Sequence, residues 1–156
     1  MSSQYRRRLA FQLPRHLVPN ISSKVMMKTV QYSPEQQAVL APLLALLDGL
    51  RRRDREAMLA QVMPDGGATI IRDGRVLHYS LRTLFEREFP PGEVDEQIYD
   101  PEVRIDDDIA MIWAPYKLFI DGRLHHRGTN IMSLVRQSDG RWLIAGHLDN
   151  SRRSPE

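Results

Sequence analysis

The chain has 156 residues, 42% of them hydrophobic and 27% charged, which are the proportions of one globular domain with a single core. It contains no cysteine, which excludes disulfides, thiolate nucleophiles and cysteine-bound zinc or iron–sulfur centres. Net charge is +2, and no apolar run approaches the ~20 residues of a membrane-spanning helix.

The charge is unevenly placed. Arg6, Arg7, Arg8, Arg15, Lys24 and Lys28 lie within residues 1–34, which hold no acid. The remaining 122 residues carry 16 basic and 20 acidic side chains, a net of −4. The sequence pI of 9.1 therefore belongs to the amino-terminal segment, and nucleic-acid binding is not expected of the domain. Residues 1–32 are expected to be a basic flexible arm or a mis-assigned leader ahead of Met26 or Met27. Their Arg- and Ser-rich, acid-free composition also fits a targeting segment.

Ser33-Pro34-Glu35-Gln36 is a helix start, with Ser33 as cap, Pro34 at the first helical position and Gln36 completing a capping box. Val39, Leu40, Leu43, Leu44, Leu47 and Leu50 follow at helical spacing, so this helix should reach Arg52 or Arg53. Asp54 is read as the cap of a second helix, with Met58, Leu59 and Val62 on its inner face and Pro64-Asp65-Gly66-Gly67 as its stop. Residues 68–72 and 75–78 flank Asp73-Gly74, the pattern of a β-hairpin. Ser80 can cap a third helix, with Leu81, Leu84, Phe85 and Phe89 on one side, ended by Pro90-Pro91-Gly92.

The last third reads as strands. Val94 to Ile105 is one extended run interrupted at Asp100-Pro101, followed by an Asp106-Asp107-Asp108 turn. Ile109–Ile120, Arg123–Gln137 and Arg141–Asn150 are joined by turns at Asp121-Gly122 and Ser138-Asp139-Gly140, and should form an antiparallel meander. In the last strand Trp142, Ile144 and Leu148 are expected on one face, with Leu143 and Ala145 on the other. A sheet that is apolar on both sides needs cover on both sides. Helices can cover one face, and a second copy of the chain is expected on the other, giving a homodimer.

Several runs resemble uncharacterised bacterial proteins of the nuclear-transport-factor-2-like, SnoaL-like superfamily. They are Val103-Arg104-Ile105, residues 110–116 (Ala-Met-Ile-Trp-Ala-Pro-Tyr), Asp121-Gly122, residues 126–130, Leu134-Val135-Arg136 and residues 140–144. The resemblance covers Ser33 to Arg153. It implies an α+β cone fold, three amino-terminal helices packed on a curved, mainly antiparallel sheet, with residues 33–153 as the domain and 154–156 as a tail. The superfamily includes ketosteroid isomerase, polyketide cyclases, limonene epoxide hydrolase and scytalone dehydratase, and also modules with no chemistry, so the fold alone does not assign a function.

What the resemblance implies is a protein binding a small hydrophobic molecule in its cone. The alternatives are an isomerase, cyclase or dehydratase acting on a polycyclic or terpenoid substrate, and a protein-interaction module. Enzymes of this shape set a carboxylate base in an apolar pocket opposite a hydrogen-bond donor. The catalytic candidates are His147, Asp149 and Tyr99. His147 and Asp149 lie two apart on a strand and so share a face. Candidate ligand-binding residues are His126 and Asn130, of equal parity, with Tyr116, Trp113 and Arg104. Trp113 and Tyr116 have opposite parity, so a regular strand turns only one of them inward.

No metal site is expected. There is no His-x-His or His-Glu-x-x-His pattern, and the acidic run at 106–108 lacks the glycine and distal glutamate of a calcium loop. No cofactor fingerprint occurs either. The sequence reading is thus of a cytoplasmic homodimer, without membrane or nucleic-acid partners, that needs no cofactor.

Overall fold

A computed structural model of the chain describes residues 30–153. The arm expected over residues 1–32 lies outside the described residues except for 30–32, and the tail at 154–156 lies outside them entirely.

Helix α1 spans Pro34–Arg52 and is capped as the sequence reads: Ser33 accepts from Gln36 N, and the Gln36 side chain returns to the cap. Its apolar face, including Val39, Leu43, Leu46 and Leu47, is buried in the core. Arg53 ends it in the left-handed conformation at φ 57°. Asp54 caps the short α2, Arg55–Leu59, by accepting from Ala57 N, which gives this acid a structural role. Asp48, the other acid of this region, is buried and held by Arg51 at 2.6 Å and Arg52 at 2.8 Å.

The strands are β1 (Val62–Arg72), β2 (Arg75–Ser80), β3 (Val94–Ile98), β4 (Glu102–Asp106), β5 (Ile109–Ile120), β6 (Arg123–Arg136), β7 (Trp142–Asp149) and β8 (Arg152–Arg153). A third helix, α3 (Leu81–Glu86), stands between β2 and β3. The mixed sheet runs β2-β1-β7-β6-β5-β3. β4 pairs with the other end of β5, and β8 pairs with β6. All pairings are antiparallel except β1 with β7, which is parallel. The fold is therefore α+β, and the core lies between α1 and the face of the sheet that carries Ile112, Met132, Leu134 and Ile144.

Three sequence expectations are corrected. Pro64-Asp65-Gly66-Gly67 does not end a helix but lies inside β1, because this segment pairs with β7 across an irregular stretch between Val62 and Gly67. α3 ends at Glu86, so Phe89 lies beyond it, with Arg87 already extended. Leu148 does not share a face with Trp142 and Ile144. Ser133 pairs with Gly146 and Leu134 with Ile144, so Ala145 is an extra residue on β7. Such a bulge reverses the alternation beyond it. Trp142 and Ile144 are buried, Leu148 is 40% exposed, and Asp149 is buried again. The 94–105 run does break at Asp100-Pro101, where Asp100 has φ 43°, and its two halves pair with opposite ends of β5.

The bulge depends on a close approach between backbones. A Cβ on Gly66 would lie 2.3 Å from the Ala145 carbonyl oxygen, whereas one on Gly67 would meet nothing. Gly66→Ala should destabilise the fold by about 1–3 kcal/mol, the usual cost of overpacking a fixed backbone. Gly67→Ala should stay near the parent value. Urea unfolding of both variants checks this, and equal stabilities would contradict the tight contact.

Candidate functional site

Beyond the bulge, β7 turns His147 and Asp149 toward the core face of the sheet. Register places Asn130 opposite Asp149 and Met132 opposite His147 on β6. On β5, Ala114 lies opposite Asn130 and Tyr116 opposite Gly128. On β3, Val94 and Ile98 are buried on the same side, so Glu96 between them also faces inward. Five polar side chains thus meet on a face that is otherwise apolar.

They form two linked sets. Tyr116 Oη donates to Asp149 Oδ1 at 2.8 Å, and both residues are buried. Gly128 makes this contact possible, since a Cβ there would lie 2.9 Å from Tyr116 Cε1 and 3.1 Å from Asp149 Oδ1. In the second set, Asn130 Nδ2 donates to Glu96 Oε1 at 2.7 Å, and Asn130 Oδ1 lies 2.9 Å from His147 Nε2. With its amide oxygen facing the imidazole, Asn130 requires the proton on Nε2. The lone pair of a neutral His147 then sits on Nδ1, which is buried and has no hydrogen-bond partner among the described residues. Phe85 of α3 stacks on the His147 ring at 6.4 Å and 10°.

Burial sets the protonation states. It pushes the Glu96 carboxyl from 4.5 up to about 7; the Asn130 hydrogen bond opposes this, and the charges of Asp149 and Asp95 add to it. Asp149 is also raised by burial, against the Tyr116 hydrogen bond and the Arg72 charge. Tyr116 is raised by burial and then by Asp149, so it remains a donor. Burial lowers His147 to about 4, which keeps the ring neutral near pH 7.

The other sequence candidates lie apart from this cluster. His126 is on the same side of β6 as Asn130 and meets Tyr116 edge-on at 5.7 Å, at the margin of the cluster. Tyr99 lies on the opposite side of the sheet, where its hydroxyl donates to Gln97 Oε1 at 3.2 Å and Lys117 sits over its ring. Trp113, 42% exposed, and the exposed Arg104 also occupy that outer side. Glu96 was not among the sequence candidates. Its signal was the alternation of β3, in which a glutamate stands at the inward position between Val94 and Ile98. Among the described residues no group of three His, Asp or Glu converges as a metal site.

The two strongest shifts act on stability in opposite directions. Neutral Glu96 favours the fold below pH 4.5, and that contribution is lost as pH rises to about 7. Neutral His147 favours the fold above pH 6.5, and that contribution is lost as pH falls to about 4. Glu96→Gln keeps an acceptor for Asn130 and removes only the first effect. The variant should gain thermal stability relative to the parent as pH rises from 4.5 to 8. Melting curves across that range check it, and a constant difference would show that Glu96 titrates normally.

No protein-family model matches the chain, and no curated protein matches it by sequence. Solved structures do match. A nuclear-transport-factor-2-like protein of unknown function from Shewanella baltica is 17% identical, with 81% of this chain and 100% of that one covered and a TM-score of 0.60. A cystatin-like-fold protein of unknown function from Nostoc punctiforme is 11% identical, covering 79% and 95%, with a TM-score of 0.66. A proposed ketosteroid isomerase from Shewanella frigidimarina is 16% identical, covering 72% and 94%, with a TM-score of 0.57. Element order, the bulged mixed sheet and these likenesses agree: the chain has the nuclear-transport-factor-2-like, SnoaL-like cone fold.

Proposed function

We propose that the chain binds a small, mainly apolar molecule carrying a hydroxyl group, held inside the cone. The observation behind this reading is the polar relay Glu96–Asn130–His147, which ends on a buried imidazole acceptor without a partner among the described residues. An unsatisfied buried acceptor costs about 1–3 kcal/mol, and a hydroxyl donor on a ligand would remove that cost. The apolar surroundings suit the rest of such a molecule, and Tyr116 with Asp149 offers a second polar contact.

Native mass spectrometry of the purified protein, followed by denaturation to release any bound compound, tests the reading. A discrete hydroxylated small molecule is expected. His147→Phe keeps a ring to stack on Phe85 and removes the acceptor, so it should weaken binding of that compound about tenfold; losing its hydrogen bond to Asn130 should also lower the melting temperature. Ligand-free protein that also shows no thermal shift with a panel of hydroxylated terpenoids and sterols would overturn the proposal.

A second reading, acid–base isomerisation or dehydration of such a ligand, is favoured by Glu96. A carboxyl titrating near 7 can both accept and return a proton at neutral pH. If turnover of a bound compound is found, Glu96→Gln should reduce kcat by roughly 10²–10⁴-fold. An unchanged rate would leave binding alone.

The outer face of the sheet supports self-association. Trp113, Ile131 and Leu148 form one row across β5, β6 and β7, with Trp113 and Leu148 exposed. Burying that row against its twin would complete the cover that both faces need. Sedimentation should give a dimer, and Trp113→Glu should shift it to monomer. A monomeric parent protein at tens of micromolar would refute this interface.

A further inference from the structure

A separate site lies at the margin of the sheet, where the β1–β2 turn, the start of β6 and the short strand β8 converge. There a cleft of about 70 Å³ is lined by Arg72, Asp73, His125, His126, Ser151 and Arg153. Positive charge is concentrated around it in an arrangement that works against folding. β8 pairs with β6 so that Arg152 stands opposite Arg127 and Arg153 opposite His126. At the end of the hairpin Arg72 stands opposite Arg75. Like charges directly opposite each other on paired strands are destabilising. Among the described residues, none of Arg72, Arg127, Arg152 and Arg153 makes an ion pair. Asp73 is the one acid in the lining.

The donors are held in place. Arg72 Nε donates to the hydroxyl of the buried Ser151 at 3.0 Å, which fixes the guanidinium at the cleft and, among the described residues, leaves its terminal nitrogens without a hydrogen-bond partner. His125 Nδ1 and His126 Nδ1 lie 2.9 Å apart, so one of the two must carry a proton there. Burial holds His126 down to about 4, and the charges of Arg72, His125 and Arg153 add to this. An arginine fork, a second arginine and imidazole N–H groups arriving from three strands match an oxyanion approached from several sides. The cleft is small, which suits a compact anionic group.

We propose that this cleft is an oxyanion site for a phosphate-type group, either inorganic phosphate or the head of a phosphate monoester. Bound there, the anion would sit between Arg72 and Arg153 and offset their charges. The site adjoins the cone cluster, where His126 meets Tyr116, but needs no ligand there.

The test uses the full chain and inorganic phosphate as probe. The imidazole resonances of the histidines are followed by NMR while phosphate replaces chloride at constant ionic strength. Saturable shifts are expected at His125 and His126, with His78 silent. Arg72→Gln and Arg153→Gln should each weaken the binding at least tenfold. Arg153 sits on an exposed two-residue strand, so its variant keeps the parent fold and remains informative if the Arg72 variant does not. Glycerol phosphate run in parallel identifies the source. Saturation as tight as with free phosphate upholds the site as a monoester head-group site, and binding of the free ion alone upholds it as an inorganic phosphate site. Non-saturating shifts, shifts unaffected by Arg153→Gln, or equal saturation by acetate would overturn the proposal.

Discussion

The extra residue at Ala145 is the constraint on which the interior depends. A β-strand alternates faces with period two, so a regular β7 that buries Trp142 and Ile144 would point His147 and Asp149 away from the core. One inserted residue lets the strand bury apolar side chains at one end and polar ones at the other, on the same face. Glycine makes room on β1 and on β7 itself. Gly66 passes against the Ala145 carbonyl, and a Cβ on Gly146 would lie 2.6 Å from Ser133 Oγ. Bulges re-aim side chains, and here the redirected pair meets Asn130 and Tyr116 from the adjoining strands.

The interior polar set has to be hydrogen-bonded to be tolerable, because unpaired polar groups in a core are expensive. Three of its members are hydrogen-bonded in a relay across β3, β6 and β7, which leaves His147 Nδ1 without a partner among the described residues, and the other two form a direct pair. Among the described residues, neither carboxyl has an arginine or lysine within salt-bridge distance, in contrast to Asp48, which is clamped by two arginines. The consequences for charge are opposite. Burial raises Asp48 as well, but the hydrogen bonds from Arg52 and Arg51 outweigh it and its pKa falls, whereas Glu96 and Asp149 are raised. Asp48 is a structural acid at a helix end. Glu96 is an acid that burial in an apolar setting moves to titrate at about 7.

The faces of the molecule divide the remaining roles. The core side carries the cluster, the outer side carries an apolar row with Trp113 at one end, and the margin at β8 gathers arginine and histidine. Arg53 and Arg55 reach over Phe89, and Arg136 over Trp142, so several other arginines rest on aromatic rings. Those around β8 lack either kind of partner among the described residues. The concentration at that margin is therefore specific to one part of the surface.

By itself the sequence determined the local structure. The capping box at Ser33, the Asp54 cap, the Asp73-Gly74 turn and the two turns of the meander are set by neighbouring residues, and each stands where the residues place it. It also determined that His147 and Asp149 share a face, and that Trp113 and Tyr116 do not, because both follow from alternation within an uninterrupted stretch. What it could not decide was which face was the inner one. That choice depends on a bulge in the pairing of β7 with β6, and on Gly66, about eighty residues earlier in the chain, whose only local signal is that of a turn. Glu96 shows the same division: its own strand marks it as inward-facing, but its partner Asn130 and the charge of Asp149 come from distant strands. Local geometry is set by short-range sterics and hydrogen bonds. The meeting of acid, amide and imidazole is set by register, which only the folded sheet fixes.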